Sequence, residues 1–254
     1  MKTFMTQLKF DGKRLVFRDY SYQFFTTLMP LAFYLLFTKI FTVGNAAEMK
    51  IFNKSYLGSM IIYSVLISAI FGFAQIMRGD RDQGFVDFLG LSPKGKLPYY
   101  FSLGFWMIML SLFSILVLTI TAIIFNGVKL TIGQFIALLI IPMIGQIPLL
   151  LIGLAMSNIT RHETLSVVSN LVTFPMAIIS GLWWPLTMMP DWVQKIGKLM
   201  PTYFANNILS KILIDQKIKL TDFGGIAIWI VLGLILVVFI TKLIGKKGVV
   251  TSNA

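Results

Sequence analysis

The stretch YFSLGFWMIMLSLFSILVLTITAIIF, residues 100–125, decides the fold class because it contains no charged residue. A helix needs about 20 mainly apolar residues to cross the ~30 Å hydrocarbon layer of a bilayer. This stretch is longer than that requirement, and comparable apolar blocks recur along the chain on both sides of it. The sequence therefore predicts an integral membrane protein made of helices.

The overall composition supports the same class. The chain has 254 residues, of which 57% are hydrophobic and only 13% are charged. A soluble domain carries roughly a quarter charged residues, so this chain has too few to cover a water-facing surface. We expect one all-α membrane domain that covers residues 1–254. Its six spans are predicted at residues 24–43, 57–77, 100–125, 132–156, 164–179 and 223–244.

Two segments outside the spans have their own character. Residues 1–20 are polar and basic, with Phe4, Leu8 and Leu15 near one helical face. This pattern predicts an interfacial helix on the cytoplasmic leaflet, with a solvated tail as the alternative. A loop carrying Glu48, Lys50 and Lys54 is expected after the first span.

The basic residues set the expected orientation. The net charge is +12, but the lysines and arginines lie singly between apolar blocks, which does not favour nucleic acid as a partner. More of them fall on the side that holds both termini, so the N- and C-termini are predicted to be cytoplasmic. We expect a multi-pass protein of the cell membrane that contacts anionic lipid.

Several kinds of chemistry have no residues to support them in this sequence. The chain has no cysteine and one histidine, and no phosphate-binding loop or hydrolase motif occurs, so neither a catalytic nor a metal site is expected. No Asp, Glu, Arg or His lies in the middle of a predicted span, whereas ion-coupled carriers usually place one there. Gln146 and Asn170 are possible pathway-lining residues, although hydrogen bonding between helices is the favoured role.

The polar insert RGDRDQGFVDFLGLSPKGK, residues 78–96, separates the second and third predicted spans. Phe85, Phe88 and Leu89 have i, i+3, i+4 spacing, which gives a short helix one apolar face. Such a helix is suited to a groove on a partner protein. The alternatives are aromatic side chains that enter the membrane interface and, for the aspartates, a solvated helix face.

The insert resembles the signature of ABC-2-type transporter permeases. The shared pattern is Gly79-Asp-Arg-Asp-Gln-Gly84, then Leu89, then Ser92-Pro93, with Phe85 departing from the threonine usual in that family. In the family this segment includes the coupling helix that meets the ATPase subunit. The resemblance implies that ATPase coupling involves Asp80, Arg81, Asp82, Gly84, Phe85, Phe88, Leu89, Ser92 and Pro93.

A second match lies in residues 180–222, where SGLWWP, MPDW and MPTY resemble the family's segment before the last span. In the family this segment re-enters the outer leaflet as short helices. The prolines here exclude one continuous helix, and the tryptophans and the tyrosine suit the outer headgroup region. A re-entrant outer gate is implied at Gly181, Trp183, Trp184, Pro185, Pro190, Trp192, Pro201 and Tyr203.

The resemblance implies a function. This chain is expected to be the permease subunit of a bacterial ATP-driven exporter, working with two ATPase subunits and a second permease, the same or closely related. ATP and magnesium would bind the ATPase, and no cofactor is expected on this chain. The charge-free spans suit an amphipathic or lipid-like substrate, such as an antimicrobial, a drug, a lipopeptide or a lipid-linked glycan. An ion-coupled carrier and a non-transporting sensor or assembly module remain alternatives.

Overall fold

The computed structural model describes the backbone of residues 2–18, 20–40, 45–93 and 95–251, and the side chains of residues 4–15, 24–40, 45–93 and 95–242. All regular structure in these ranges is helical. The first part of the chain forms α1 Lys2–Arg18, α2 Tyr20–Ile40, α3 Ala46–Leu66, α4 Phe73–Asp82 and α5 Phe85–Gly90. The second part forms α6 Leu97–Asn126, α7 Ile132–Met156, α8 His162–Ile179, α9 Asp191–Gly197, α10 Pro201–Leu213 and α11 Gly224–Thr251.

Helix length and composition confirm an all-helical, multi-pass membrane protein. Four described helical stretches are long and apolar enough to cross a bilayer: Ala46–Asp82, Leu97–Asn126, Ile132–Met156 and Leu220–Lys242. A shorter apolar helix covers Phe24–Ile40, and the remainder of the first predicted span, residues 41–43, lies outside the described residues.

The predicted loop around Glu48, Lys50 and Lys54 is wrong, because these residues are helical. Asn45 accepts hydrogen bonds from the backbone of Ala47 and Glu48, and the Glu48 side chain accepts one from the Asn45 backbone. This capping box starts α3 about three turns before the apolar block. α3 then continues through a π-helical turn, Ile67–Gly72, into α4, so one helical rod extends to Asp82.

The core of the bundle forms where α3 and the π-helical turn pack against α7 and α10. Leu57, Ile61, Leu138 and Leu209 are among the fully or nearly fully buried residues of this cluster. The closest approach is at Gly153 of α7, where an added Cβ atom would lie 2.2 Å from the Ala69 carbonyl oxygen. The π-helical turn and α7 can therefore touch only because position 153 has no side chain.

We expect Gly153→Ala to lower the free energy of unfolding by about 1–3 kcal/mol, since the new methyl group must push α7 away from the rod. SDS titration or thermal melting of the detergent-solubilised protein measures this change. Gly104→Ala is the matched control, because an added Cβ there meets no atom within 4 Å. The control should gain ~0.5–1 kcal/mol from better helix propensity. Equal stability of the two variants would contradict the close packing.

Candidate coupling site and inner cavity

A sharp turn separates the long rod from the short helix that follows it. α4 ends at Asp82, and Gly84 has φ of +70°, a left-handed conformation that glycine adopts without steric cost. α5 then runs from Phe85 to Gly90. We call residues 78–96 the coupling segment, after the role that the family resemblance implies for it.

Asp80 points into the protein. Its carboxylate, in a residue only 6% exposed, accepts two hydrogen bonds from the Arg14 guanidinium, at 2.5 and 2.7 Å. The Tyr99 hydroxyl donates a third at 2.6 Å. Bidentate pairing of this kind is the strongest common geometry for an arginine and a carboxylate. Asp80 thus joins α4 to α1 and α6.

A second carboxylate, that of Asp11, is fully buried beside this pair. It accepts hydrogen bonds from Ser102 Oγ at 2.7 Å and Gln7 Nε2 at 2.8 Å, and Arg14 lies 3.4 Å away. Burial raises the pKa of Asp11, and these hydrogen bonds only partly offset that effect. We call Asp11, Arg14, Asp80 and Tyr99 the ionic cluster.

The three aromatic and aliphatic residues predicted to fill a partner groove have different surroundings. Phe85 stacks on Phe10 with ring centroids 5.7 Å apart and contacts Tyr99, and the Arg14 guanidinium lies 5.3 Å from its ring. Leu89 also packs on the chain's own core. Phe88 is 71% exposed, and so is Leu91 at 85%. Among the described residues of the coupling segment, the large apolar side chains most exposed to a partner are therefore Phe88 and Leu91.

Arg81 and Asp82 bind other parts of the same chain. Arg81 donates to the Ser157 carbonyl and to Asn158 Oδ1, both at 2.8 Å, in the turn between α7 and α8. Asp82 pairs with Arg78 and lies 2.6 Å from His162 Nε2 at the start of α8.

The far end of the coupling segment is fixed to the start of α6. Lys96 binds Asp87 at 2.7 Å, and this hydrogen bond holds the pKa of Asp87 below its usual value. Ser92 Oγ lies 3.4 Å from the Gly95 carbonyl, and Pro93 is exposed in the same turn.

A cavity of about 800 Å³, partly open to the surroundings, lies between α2, the long rod and α8. It reaches from Asp80 and Gln83 at one end to Tyr63, about 26 Å along the rod at 1.5 Å per residue. The Asp80 end carries polar groups, and the middle and far end are mainly apolar. We call this space the inner cavity. Its apolar wall includes Phe25, Met29, Ile67, Phe71 and Phe174.

Of the two possible pathway-lining residues, only Asn170 faces the inner cavity. Gln146 does not line this cavity: its side chain is fully buried in α7 and donates to Ser111 Oγ of α6 at 2.9 Å, which is the hydrogen bonding between helices favoured for it from the sequence. Thr173, one turn beyond Asn170 on α8, also lines the cavity. Its hydroxyl is buried and has no hydrogen-bond partner among the described residues.

Trp183 lies at the centre of an aromatic cluster beyond the far end of the cavity. Its ring centroid is 4.9 Å from that of Phe33, 5.5 Å from Tyr63 and 5.8 Å from Phe174. Trp183 thus connects α2, α3 and α8. Trp184 lies beside it and contacts Phe37.

The other residues predicted for the outer gate lie apart from this cluster. Pro190 immediately precedes α9 and Pro201 is the first residue of α10, in agreement with the interruptions predicted from the prolines. Trp192 is 65% exposed on α9. Gly181, Pro185 and Tyr203 line a separate small cleft.

Comparison with known proteins identifies the family. Residues 9–214 match the ABC-2 type transporter family. This chain belongs to that family. The Bacillus subtilis (strain 168) protein named "Putative transport permease YvfS" is 29% identical over 191 residues, which cover 74% of this chain and 76% of that relative. The matched region contains both the coupling segment and the inner cavity.

Membership of the ABC-2 family defines the general role of the chain. Permeases of this family normally work with an ABC ATPase partner. The chain is accordingly a membrane subunit for transport rather than the ATPase itself. The coupling segment and the cavity are the two features on which a mechanism for this ABC-2 permease can be built.

The ionic cluster was missed by sequence reasoning, which predicted an interfacial helix or a solvated tail for residues 1–20. One signal was present: Asp11 is an acidic residue three positions before Arg14 in an otherwise basic helix. Charges at i and i+3 share a helix face, so the pair could have been noticed. Its partner Asp80 is distant in sequence and could not have been identified from local spacing.

Proposed function

We propose that this chain is the permease subunit of an ATP-driven exporter that moves an amphipathic, lipid-like substrate. The observation that carries the proposal is the coupling segment, which continues directly from the rod, is bound to α1 and α6 through Asp80, and exposes Phe88 and Leu91. A segment that is fixed on one side and apolar on the other can transmit a push from a partner subunit.

The proposed arrangement has six spans, with both termini in the cytoplasm of a bacterial cell. α2 and α8 supply the first and fifth spans beside the four longer helical stretches. α1 lies on the inner leaflet, and α9 and α10 form the outer re-entrant segment. In this orientation the ionic cluster and the polar end of the inner cavity are cytoplasmic, and the aromatic cluster is near the outer side.

The inner cavity supports the choice of substrate class. A polar mouth with Gln75, Gln83 and His162 suits a headgroup, and the apolar wall beyond it suits a hydrocarbon tail. The unpartnered Thr173 hydroxyl and the Asn170 amide supply hydrogen-bonding groups between the two ends. The volume of about 800 Å³ is within the range of sites for drug-sized ligands.

In the proposed mechanism, a movement of the coupling segment is transmitted along the helical rod to the inner cavity. An ATPase dimer would close on ATP and push on Phe88 and Leu91 of each permease. The push would reach α4 directly, and α1 and α6 through Asp80, so the three elements would move together. The π-helical turn at Ile67–Gly72 lines the cavity and is the natural position for the rod to bend. By family resemblance the working unit contains two permeases and two ATPases.

The decisive test is co-purification of the partner from native membranes. We expect a subunit with a phosphate-binding loop to accompany the wild type and to fall at least tenfold with Phe88→Asp plus Leu91→Asp, because both apolar contacts are lost. Phe88→Tyr plus Leu91→Met is the matched control and should retain the partner. If the aspartate variant co-purifies with as much ATPase subunit as the wild type does, Phe88 and Leu91 are excluded as the contact.

Transport itself is tested in inside-out vesicles that contain both subunits. ATP should drive a fluorescent short-chain phosphatidylglycerol across the membrane, and the aspartate variant should not. A wild type that never brings down an ATPase, or that moves this lipid equally well without ATP, would overturn the exporter proposal.

A further inference from the structure

A second, smaller cavity lies between α3 and α10, at the end of the bundle opposite the ionic cluster. Its volume is about 210 Å³, below the roughly 300–1,000 Å³ of sites for drug-sized ligands. Residues of the turn after α8, including Gly181 and Leu186, close one side. We call this space the outer cleft.

The outer cleft is built from two matching polar stripes. Each stripe has i, i+3, i+4, i+7 spacing, so its members share one face of their helix. On α3 the stripe consists of Phe52, Ser55, Tyr56 and Ser59. On α10 it consists of Tyr203, Asn206, Asn207 and Ser210.

Some of these polar groups hold the two helices together. Ser55 Oγ donates to Ser210 Oγ at 3.3 Å, and Ser59 Oγ donates to Asn206 Oδ1 at 3.2 Å. Such hydrogen bonds explain part of the polarity, as is common between membrane helices.

Other groups of the stripes have no structural use in the described chain. The Tyr203 hydroxyl and the Asn207 amide both face the cleft and form no hydrogen bond with another described residue. A third group, the hydroxyl of the cleft-lining Tyr56, is buried and has no hydrogen-bond partner among the described residues, and such a group requires water or a ligand.

The chemistry of the lining selects a class of ligand. Among the described residues, those lining the outer cleft include no Lys, Arg, His, Asp or Glu, which disfavours a charged group. Hydroxyl and amide groups both donate and accept hydrogen bonds, as a ligand with several hydroxyls requires. Phe52 and Tyr203 add aromatic surface that can pack against the C–H face of a ring.

We propose that the outer cleft binds one uncharged, polyhydroxylated sugar ring. The ring could belong to the headgroup of a glycolipid in the outer leaflet or to a soluble glycan. The proposal concerns binding by the permease alone, so it stands or falls separately from ATP-driven export.

The test uses the full-length chain in phosphatidylglycerol nanodiscs. One sample contains monoglucosyl-diacylglycerol and the other contains diacylglycerol without the sugar, and native mass spectrometry counts the lipid retained. Free methyl β-D-glucopyranoside is added to sugar-free nanodiscs, and saturation-transfer NMR detects its binding. Retention of glycolipid alone identifies an outer-leaflet lipid site, whereas binding of both probes identifies a site open to soluble sugars. Either result supports the proposal.

Variants must localise the binding to the cleft. We expect Tyr203→Phe with Asn207→Leu to weaken sugar binding about tenfold, since two neutral hydrogen bonds are removed. Tyr100→Phe, the same chemical change near the other end of the bundle, should leave binding within twofold. Thermal melting checks that the variants are folded. If the double variant melts at a lower temperature than the wild type, sugar binding is measured with Tyr203→Phe alone. The proposal would be overturned if the wild type bound no sugar, or if the Tyr203 and Asn207 variants bound it as well as the wild type does. Either outcome would show that only water fills the cleft.

Discussion

Replacing Arg14 with methionine is expected to lower the free energy of unfolding by about 3–5 kcal/mol, because it leaves Asp11 and Asp80 buried without a cation. Arg14 is the residue that binds both carboxylates in the ionic cluster. The same change should abolish ATP-driven transport, since α1 would no longer move with α4. SDS titration of the purified permease measures the first effect, and transport in inside-out vesicles measures the second.

Two further variants separate charge from packing. Arg14→Lys keeps the charge but loses the bidentate geometry, so an intermediate loss is expected. The triple variant with Asp11→Asn, Arg14→Met and Asp80→Asn removes all three charges together. Replacing a whole buried ionic group is far less costly than removing one partner, so the triple variant should recover most of the stability. An Arg14→Met protein as stable as the wild type would contradict the structural role of the cluster.

The cluster also predicts a dependence on pH. Burial raises the pKa of Asp11 above 3.8, so the folded chain holds this proton more tightly than the unfolded chain. The stabilisation from that proton is complete below 3.8 and is lost as the pH rises through the raised value. In Arg14→Met both carboxylates lack their cation. The difference from the wild type should therefore shrink as the solution is acidified and Asp11 becomes neutral.

The membrane class and most helix positions could be predicted from the sequence because they depend on local properties. A run of apolar residues long enough to span the bilayer identifies a helix without knowledge of its neighbours. Ile132–Met156 begins and ends where it was predicted. The start of α3 was misplaced because charged residues were taken as a loop, although the Asn45–Glu48 capping box was readable.

The contacts made by the side chains of the coupling residues could not be predicted from local properties. Asp80, Arg81 and Asp82 were expected to meet the ATPase, and their side chains instead contact three parts of the same chain. Consecutive residues on a helix point about 100° apart, so no single partner can face all three. Which neighbour each one meets depends on contacts with α1, α8 and the turn after α7, all remote in sequence.

Gln146 and the outer cleft illustrate the same limit. A lone amide in an apolar helix fits either a pathway or a helix contact, and only the position of Ser111 decides between them. Each polar stripe of the cleft can be read as a helical face. The two stripes face each other only because α10 packs against α3, and local sequence patterns do not predict that contact.

We expect Trp183→Ala to lower the free energy of unfolding by about 3–5 kcal/mol, because it removes the ring that joins α2, α3 and α8. Trp192→Ala is the matched control in the same segment. Trp192 is 65% exposed, so its loss should change the stability by no more than ~0.5 kcal/mol. Thermal melting of both variants in one detergent gives the comparison.

The pair of tryptophans also tests what the outer segment does. Trp183→Phe keeps a ring against Phe33 and Tyr63 and should recover much of the stability lost in the alanine variant. If transport recovers together with stability, Trp183 acts by holding the far end of the inner cavity in shape. If stability recovers while transport does not, the indole itself takes part in opening the outer side. Equal melting of Trp183→Ala and Trp192→Ala would contradict both roles, because a ring packed among three helices cannot be removed as cheaply as an exposed one.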